Sequence, residues 1–345
     1  MKKKLIIIII FIFMLFSIVN NFYSISSNNY YIKQLLWYIL GFILVFLIYK
    51  MNTNLIFKYS LYLYLFGNFL LLLTLLIGSY VNGARAWLNI LGFSFQPSEF
   101  MKIFLILYLT HFTYKYNLSD FKYILLSGLI IIVPSILTFL EPDTGGVIIY
   151  LIIWITFLFL KKINKWYYII SIVISITLIS TFFILYYFYQ NIFIDIFGTN
   201  FFYRMDRITN FINQEGYQLN EALKNISNSG LFGIKEKVYF PESNTDFALT
   251  LLISNFGIVG LFIFLISYNL LFYLLGKLKS DTYILNSTLN ILIFSYVANI
   301  LMNIGLFPII GITLPFLSYG GSSIISFMIL LGFMLKEKAS FDTYL

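Results

Sequence analysis

The sequence predicts an all-α polytopic membrane protein of about ten transmembrane helices, with both termini cytoplasmic and one long extracytoplasmic loop. Three observations predict it. Of 345 residues, 60% are hydrophobic, 21% aromatic and only 10% charged, whereas a soluble domain carries about 25% charged residues. Apolar runs recur along the whole chain at lengths near the ~20 residues of a bilayer crossing. Basic residues gather in alternate connections, the pattern that fixes orientation. The formal charge of +8 is spread over these connections, so topology accounts for it and no nucleic acid partner is implied. With no cysteine and a single histidine, His111, disulfides, thiolate metal sites and histidine metal clusters are excluded.

The first span, Leu5–Tyr23, follows a basic start and no small-residue cleavage site follows it, so it reads as a retained helix rather than a signal peptide. The others are Leu35–Ile48, Leu55–Ile77, Ser98–Phe112, Tyr123–Leu140, Val147–Leu160, Trp166–Tyr189, Phe247–Leu275, Ile284–Leu306 and Ser322–Leu335. Several are short, so polar flanks must lie at membrane depth, which is tolerated only inside protein or beside a wet cavity. With the N-terminus inside, 14 of the 22 basic residues fall on cytoplasmic connections and seven on outer ones, with Lys102 within a helix. Ten of the 14 acids fall on the outer side. Acids do not set orientation, so this skew points to an outward-facing polar site. The longest connection, about 190–245, contains "FFYRMDRITNFIN", where apolar residues recur at helical spacing with Arg204 and Arg207 one turn apart. It reads as an amphipathic helix at the interface. The chain, 1–345, reads as a single transmembrane domain.

Four polar clusters interrupt the apolar pattern, all on the outer side. "NGARAWLNILGFSFQPSEFMK" is a turn-rich loop, then a helix start at Ser98 and Glu99, with Lys102 on the same helical face as Glu99. A charge pair within a membrane segment is a functional candidate, although a cap and a satisfied ion pair explain it equally well. "EPDTGGVIIY" sets Glu141 and Asp143 before two glycines; an acidic helix N-terminus is the simpler account. "FPESNTDF" puts Asp246 just before the next apolar run, as an N-cap carboxylate or as a general base raised by apolar surroundings. "NIGLFPIIGITLPFLSYGGSSIISF" has helix-breaking Pro308 and Pro315, hydroxyls and exposed backbone N–H groups; a packing turn is the alternative.

These stretches, with "YRMDRITNF", "GYQLNEAL", "SGLFG" and "FGIVG", resemble the SEDS proteins (shape, elongation, division and sporulation), the group of RodA, FtsW and SpoVE. They occur in the family's order from about Asn82 to the C-terminus, and "EPDTGG" with short cytoplasmic tails leans towards RodA. The resemblance implies a peptidoglycan glycosyltransferase with ten transmembrane helices. It would polymerise lipid II, an undecaprenyl-pyrophosphate-linked disaccharide peptide, on the outer face of the cytoplasmic membrane, for cell elongation or division. It also implies a class B penicillin-binding protein, a transpeptidase, as partner. Asp246 matches the family's catalytic aspartate. The implied substrate-binding set is Arg85, Glu99, Lys102, Asp143, Arg207, Gln218, Ser318, Gly320, Gly321, Ser322 and Ser323. A divalent cation, Mg or Mn, would assist at the pyrophosphate, and no organic cofactor is expected. The chain departs from the family's pattern at Ala86, Asn244, Ser254 and Asn255. Two other readings stay open on residues alone: a lipid II flippase or transporter, and an inactive scaffold for the transpeptidase.

Overall fold

The computed structural model describes residues 2–24, 29–81, 84–90, 93–170, 188–197, 216–234 and 240–337, with single positions at 173, 177, 181 and 184. The chain runs α1 (Lys2–Tyr23), α2 (Tyr30–Lys50), α3 (Thr53–Lys58), α4 (Ser60–Ile77), β1 (Ser79–Val81), β2 (Ala84–Ile90) and β3 (Phe93–Phe95). It continues through α5 (Pro97–Lys115), α6 (Asp120–Leu140), α7 (Thr144–Lys161), α8 (Gln190–Phe197), α9 (Tyr217–Asn228), α10 (Ala248–Gly276), α11 (Thr282–Asn303) and α12 (Gly321–Met334). Seven of these, α1, α2, α4, α6, α7, α10 and α11, are long and apolar enough to cross a membrane. In hydrocarbon a helix satisfies its own backbone, which is why the apolar runs adopt it.

α5 and α12 form the interior of the bundle. Most of α5 is buried, Lys102 included, and 11 of the 14 residues of α12 are buried. α12 packs on α2 and α5, α5 on α4 and α7, and α1 on α2 and α10. A helix surrounded by helices has no lipid face to keep apolar, so α5 can carry charge and α12 can be short.

The sequence reading of an all-α chain with a turn-rich loop before Ser98 needs correcting. That stretch holds a three-stranded antiparallel sheet, β1-β2-β3, with Leu88 opposite Phe95 and Asn89 opposite Ser94. Along β2, Ala86 and Leu88 are buried while Trp87 and Asn89 are not, the two-residue alternation of a half-buried strand. The expected third span is also divided, α3 and α4 meeting at Tyr59. The seventh span, Trp166–Tyr189, lies mostly outside the described residues, which show helix at 165–170. The amphipathic helix read over 201–213 lies wholly outside them; α8 and α9 lie in the same connection.

The first and last described segments meet. Lys3 Nζ lies 3.0 Å from Glu337 Oε1. The adjoining Lys336 is buried and donates to Ile48 O (2.9 Å), Tyr49 O (3.2 Å) and Met51 O (2.5 Å), capping the C-terminal carbonyls of α2.

α10 is two helices spliced by a loop. Gly257 breaks it at φ 66°, ψ −165°, a conformation open essentially to glycine alone. The loop after α9 fills the gap: Ile258 N donates to Gly230 O (3.1 Å), Val259 N to Leu231 O (3.2 Å), and Ile234 N to Ser254 O (2.7 Å). Contacts with α11 show how the two segments lie. Thr250 bonds to Asn303, and Tyr268 stacks on Tyr296. Positions 296 and 303 are seven residues, ~10 Å, apart on α11, whereas 250 and 268 are eighteen residues, ~27 Å of helix, apart on α10. The first segment of α10 therefore crosses the end of the bundle instead of descending through it.

A Cβ on Gly257 would sit 2.3 Å from the Leu231 backbone. Gly257→Ala is expected to cost ~2–4 kcal/mol through strain and clash, read as a lowered unfolding midpoint in detergent. Gly276→Ala, where the nearest atom is 4.0 Å away, should stay within about 0.5 kcal/mol of the parent.

Candidate active site

The connection from α11 to α12, residues 304–320, has no regular structure, yet Leu314 to Ser318 are all buried. Its carbonyls must find donors, and neighbouring helices supply them. Tyr268 Oη donates to Pro315 O and Tyr38 Oη to Phe316 O. Ser17 Oγ donates to Leu317 O (2.7 Å) and Gln34 Nε2 to Ser318 O (3.1 Å). Ser17, Gln34, Tyr38 and Tyr268 thus belong to the site's frame. Polar residues inside otherwise apolar runs are the only sequence signal for them.

This frame holds the turn 241–247, which carries Asp246. Three consecutive carbonyls of that turn accept hydrogen bonds. Tyr319 N donates to Asn244 O (2.7 Å) and Ser318 Oγ to Thr245 O (2.6 Å). Asn299 Nδ2 (2.9 Å) and Asn303 Nδ2 (3.1 Å) both donate to Asp246 O. Asp246 itself is half-buried, just ahead of α10. The N-cap position of α10 belongs to Phe247, which makes no side-chain cap. Asn303 Oδ1 takes the Thr250 N–H (3.0 Å). Within the turn, Thr245 Oγ1 donates to Glu242 Oε2 (2.5 Å).

A second polar centre lies between α5, α7, α11 and α12. Asp143 caps α7 by accepting from Gly146 N (2.8 Å), and it also accepts from Ser98 Oγ (2.7 Å) and Gln96 Nε2 (3.1 Å). Lys102 Nζ lies 2.5 Å from Glu99 Oε2 and 3.8 Å from the centre of the Phe327 ring, and Ser326 Oγ donates to the same Glu99 oxygen (2.9 Å). These groups border a cavity of about 40 Å³, with Ser295, Ile312 and Thr313 on its far wall. That volume admits two or three waters at roughly 10–15 Å³ each. Residues 311–318 join the centres: Ile312 O accepts from Asn299 Nδ2 (2.9 Å), and Thr313 Oγ1 bonds Ser323 Oγ (2.9 Å).

The remaining expected site residues are placed as follows. Arg85 caps α4, donating from Nε to Gly78 O and from Nη1 to Leu75 O, both at 3.0 Å. Ser318 spends its hydroxyl on Thr245 O and accepts from Leu314 N (2.9 Å). Ser322 Oγ accepts from Gln96 N (3.0 Å). Gly321 lies against Trp37, where a Cβ would approach the ring to 2.6 Å. Gly320 N faces Gln34 Oε1 at 3.5 Å. Gln218 is half-buried in the first turn of α9. Arg204 and Arg207 lie outside the described residues.

The profile of the cell cycle protein family, which groups FtsW, RodA and SpoVE, matches residues 2–341. The chain belongs to that family. A Coxiella burnetii member named "Probable peptidoglycan glycosyltransferase FtsW" is 30% identical, over 89% of this chain and 86% of its own length. The Treponema pallidum "Peptidoglycan glycosyltransferase RodA" is 27% identical, over 90% and 89%. The solved structure described as "Structural coordination of polymerization and crosslinking by a peptidoglycan synthase complex" superposes with a TM-score of 0.79 at 24% identity, covering 96% of this chain and 95% of that one. The Thermus thermophilus rod shape determining protein RodA gives 0.69 at 24%, covering 96% and 94%. These likenesses establish the fold.

The family departures sit in neutral, bonded surroundings. Ser254 Oγ donates to Thr250 O (2.9 Å) and Asn255 Nδ2 to Asn20 Oδ1 (2.7 Å). Ala86 is buried in β2.

Two acids stand at the α6–α7 turn. Asp143 is raised by burial, against the pull of its three hydrogen-bond donors. Glu141 is fully buried, and neither carboxyl oxygen has a hydrogen-bond partner among the described residues. Burial, then the charge of Asp143, pushes Glu141 up to about 9 from an ordinary 4.5, so it is neutral at pH 7. The folded chain then holds a proton that the unfolded chain releases, and stability falls as pH rises from about 4.5 to about 9. Glu141→Gln should flatten that slope in a pH series of unfolding midpoints. Parallel profiles for the two proteins would assign the slope elsewhere.

Proposed function

We infer that this chain is a peptidoglycan glycosyltransferase that polymerises lipid II into glycan strands at the outer face of the cytoplasmic membrane. Family membership and the glycosyltransferase names of its relatives support the activity. The observation that carries the site is the turn 241–247: a half-buried carboxylate whose own backbone carbonyl and the two before it are tied down by four donors. Such a group is presented for chemistry at fixed orientation. The buried Glu99–Lys102 pair and the donors on Asp143 are inner features that shape the wall of the cavity between α5, α7, α11 and α12.

In the reaction, a sugar 4-hydroxyl of the acceptor attacks the anomeric carbon of the donor. The new C–O bond forms as the bond to the undecaprenyl pyrophosphate breaks, and the leaving group takes that electron pair. Asp246 accepts the hydroxyl proton. Arg85, Arg204 and Arg207 are the cationic candidates to meet charge growing on the pyrophosphate, Lys102 being buried against Glu99. Arg85 has N–H groups beyond the two used on α4. Among the described residues no three of His, Cys, Asp and Glu group as a metal cage. Glu242 and Asp246, the two carboxylates of one turn, would be the residues to hold a Mg or Mn ion. Such an ion would supply Lewis-acid neutralisation of the leaving group. No organic cofactor enters this scheme.

The proposed topology is ten spans with both termini cytoplasmic, and the meeting of Lys3 with Glu337 at one end of the bundle supports an even number of crossings. The proposed partner is a class B penicillin-binding protein; the structural neighbour described as a synthase complex couples polymerisation with crosslinking. A flippase or scaffold reading gains no support from the names of the relatives.

Purified protein, supplied with labelled lipid II and Mg or Mn alongside a co-expressed transpeptidase partner, is expected to make muramidase-sensitive polymer. Asp246→Asn, folded to the same midpoint, should lose about 10²-fold or more of the rate. Equal polymer from both proteins would remove Asp246 from the chemistry.

A further inference from the structure

Asn299 and Asn303 lie one turn apart on α11, and both are fully buried. Their amide orientations follow from their partners. Thr250 N–H can only donate, so it fixes Asn303 Oδ1 on that side (3.0 Å), where Thr250 Oγ1 also donates (2.7 Å). Asn303 Nδ2 then faces carbonyls that can only accept: Asp246 O (3.1 Å) and Asn299 O (2.8 Å). Asn299 Nδ2 likewise faces Asp246 O (2.9 Å) and Ile312 O (2.9 Å). Two amides from one helix thus converge on a single carbonyl, that of Asp246. Through the same pair they also grip the first turn of α10 and the segment bordering the cavity.

We propose that Asn299 and Asn303 are positioning residues for Asp246. They act through its backbone: they set the direction of its Cα–Cβ bond, and so where the carboxylate stands relative to the acceptor hydroxyl. This rests on the catalytic reading of Asp246. Neither asparagine touches the carboxylate in this arrangement, so their loss should alter the rate of the chemical step and leave substrate capture alone. Asparagine suits the task because one short side chain donates and accepts at once. An apolar residue at 303 would strand the Thr250 N–H and remove one of the two donors to Asp246 O. Ordinary helix capping would explain the Oδ1 side of Asn303; it does not explain why both Nδ2 groups meet on residue 246.

Two readouts test this. In lipid II polymerisation, Asn299→Ala and Asn303→Ala should lower kcat about 10- to 100-fold with KM within about twofold. Asn290→Ala, which breaks a different bond of α11 to Thr156, should keep the parent kcat. An unchanged kcat, or equal losses in all three variants that follow their unfolding midpoints, would overturn the proposal. The second readout needs no activity. The chain has no cysteine, so Asp246→Cys creates a single thiol whose maleimide labelling rate reports the setting of residue 246. Adding Asn299→Ala or Asn303→Ala should change that rate several-fold, and adding Asn290→Ala should not. Asn299→Ala retains the cap on Thr250, so it keeps the test open if Asn303→Ala fails to fold. Unchanged labelling in both backgrounds sinks the positioning role whatever the enzyme does. Altered labelling, where the parent protein with Asp246 intact makes no polymer, upholds positioning and removes the glycosyltransferase reading.

Discussion

A buried stretch of backbone without helix or sheet governs this molecule. An amide or carbonyl left unpaired away from water costs several kcal/mol, and residues 314–318 bring a run of such groups into the bundle. The answer is a ring of side chains on α1, α2 and α10, one donor for each carbonyl from Pro315 to Ser318. Those donors fix the α11–α12 connection, and that connection fixes the turn bearing Asp246 through Ser318 and Tyr319. The setting of Asp246 therefore depends on hydrogen bonds made by residues on distant helices.

The Glu99–Lys102 pair follows a different logic. Two charges withdrawn from water gain little net stability, whereas removing one strands the other at a cost of about 3–5 kcal/mol. Ser326 on Glu99 and the Phe327 ring under Lys102 compensate part of the desolvation. The pair keeps α5 and α12 in one register and leaves the adjacent cavity polar, which a leucine pair would close.

Much of the fold was legible because hydrophobic length is a strong signal. Seven helices stand where apolar runs stood, and Gly321–Met334 lies within a residue of its expected bounds at each end. The β-sheet was missed because Gly83, Gly92 and Pro97 outweighed the short alternation through "ARAWLNI". The break at Gly257 was hidden inside a largely apolar run, where glycine is frequent in membrane helices and carries no mark of its conformation. Among the candidate site residues, Asp246, Glu99, Lys102 and Asp143 stood out in the sequence because charge is conspicuous in an apolar chain. Ser17, Gln34, Asn299 and Asn303 escaped notice. Their partners lie far off in sequence, 300 residues away for Ser17 and Leu317, and no periodicity records a bond of that span. Arg85 and Ser318 show the converse: conspicuous polar groups whose bonds close a helix end and a turn.

Those long spans bear on how the chain comes into being. α1 and α2 leave the ribosome before residues 316–318, whose carbonyls Ser17, Gln34 and Tyr38 meet, and the end of α2 waits for Lys336. At a synthesis rate of about 5–20 residues per second, the interval is roughly 15–60 s. Through that time the first two helices reside in the bilayer with buried-type polar groups uncovered, and the last span to be made acts as the keystone. A chain that stalls late in translation would hold most of its membrane segments and the turn 241–247, yet lack the connection that holds that turn in place.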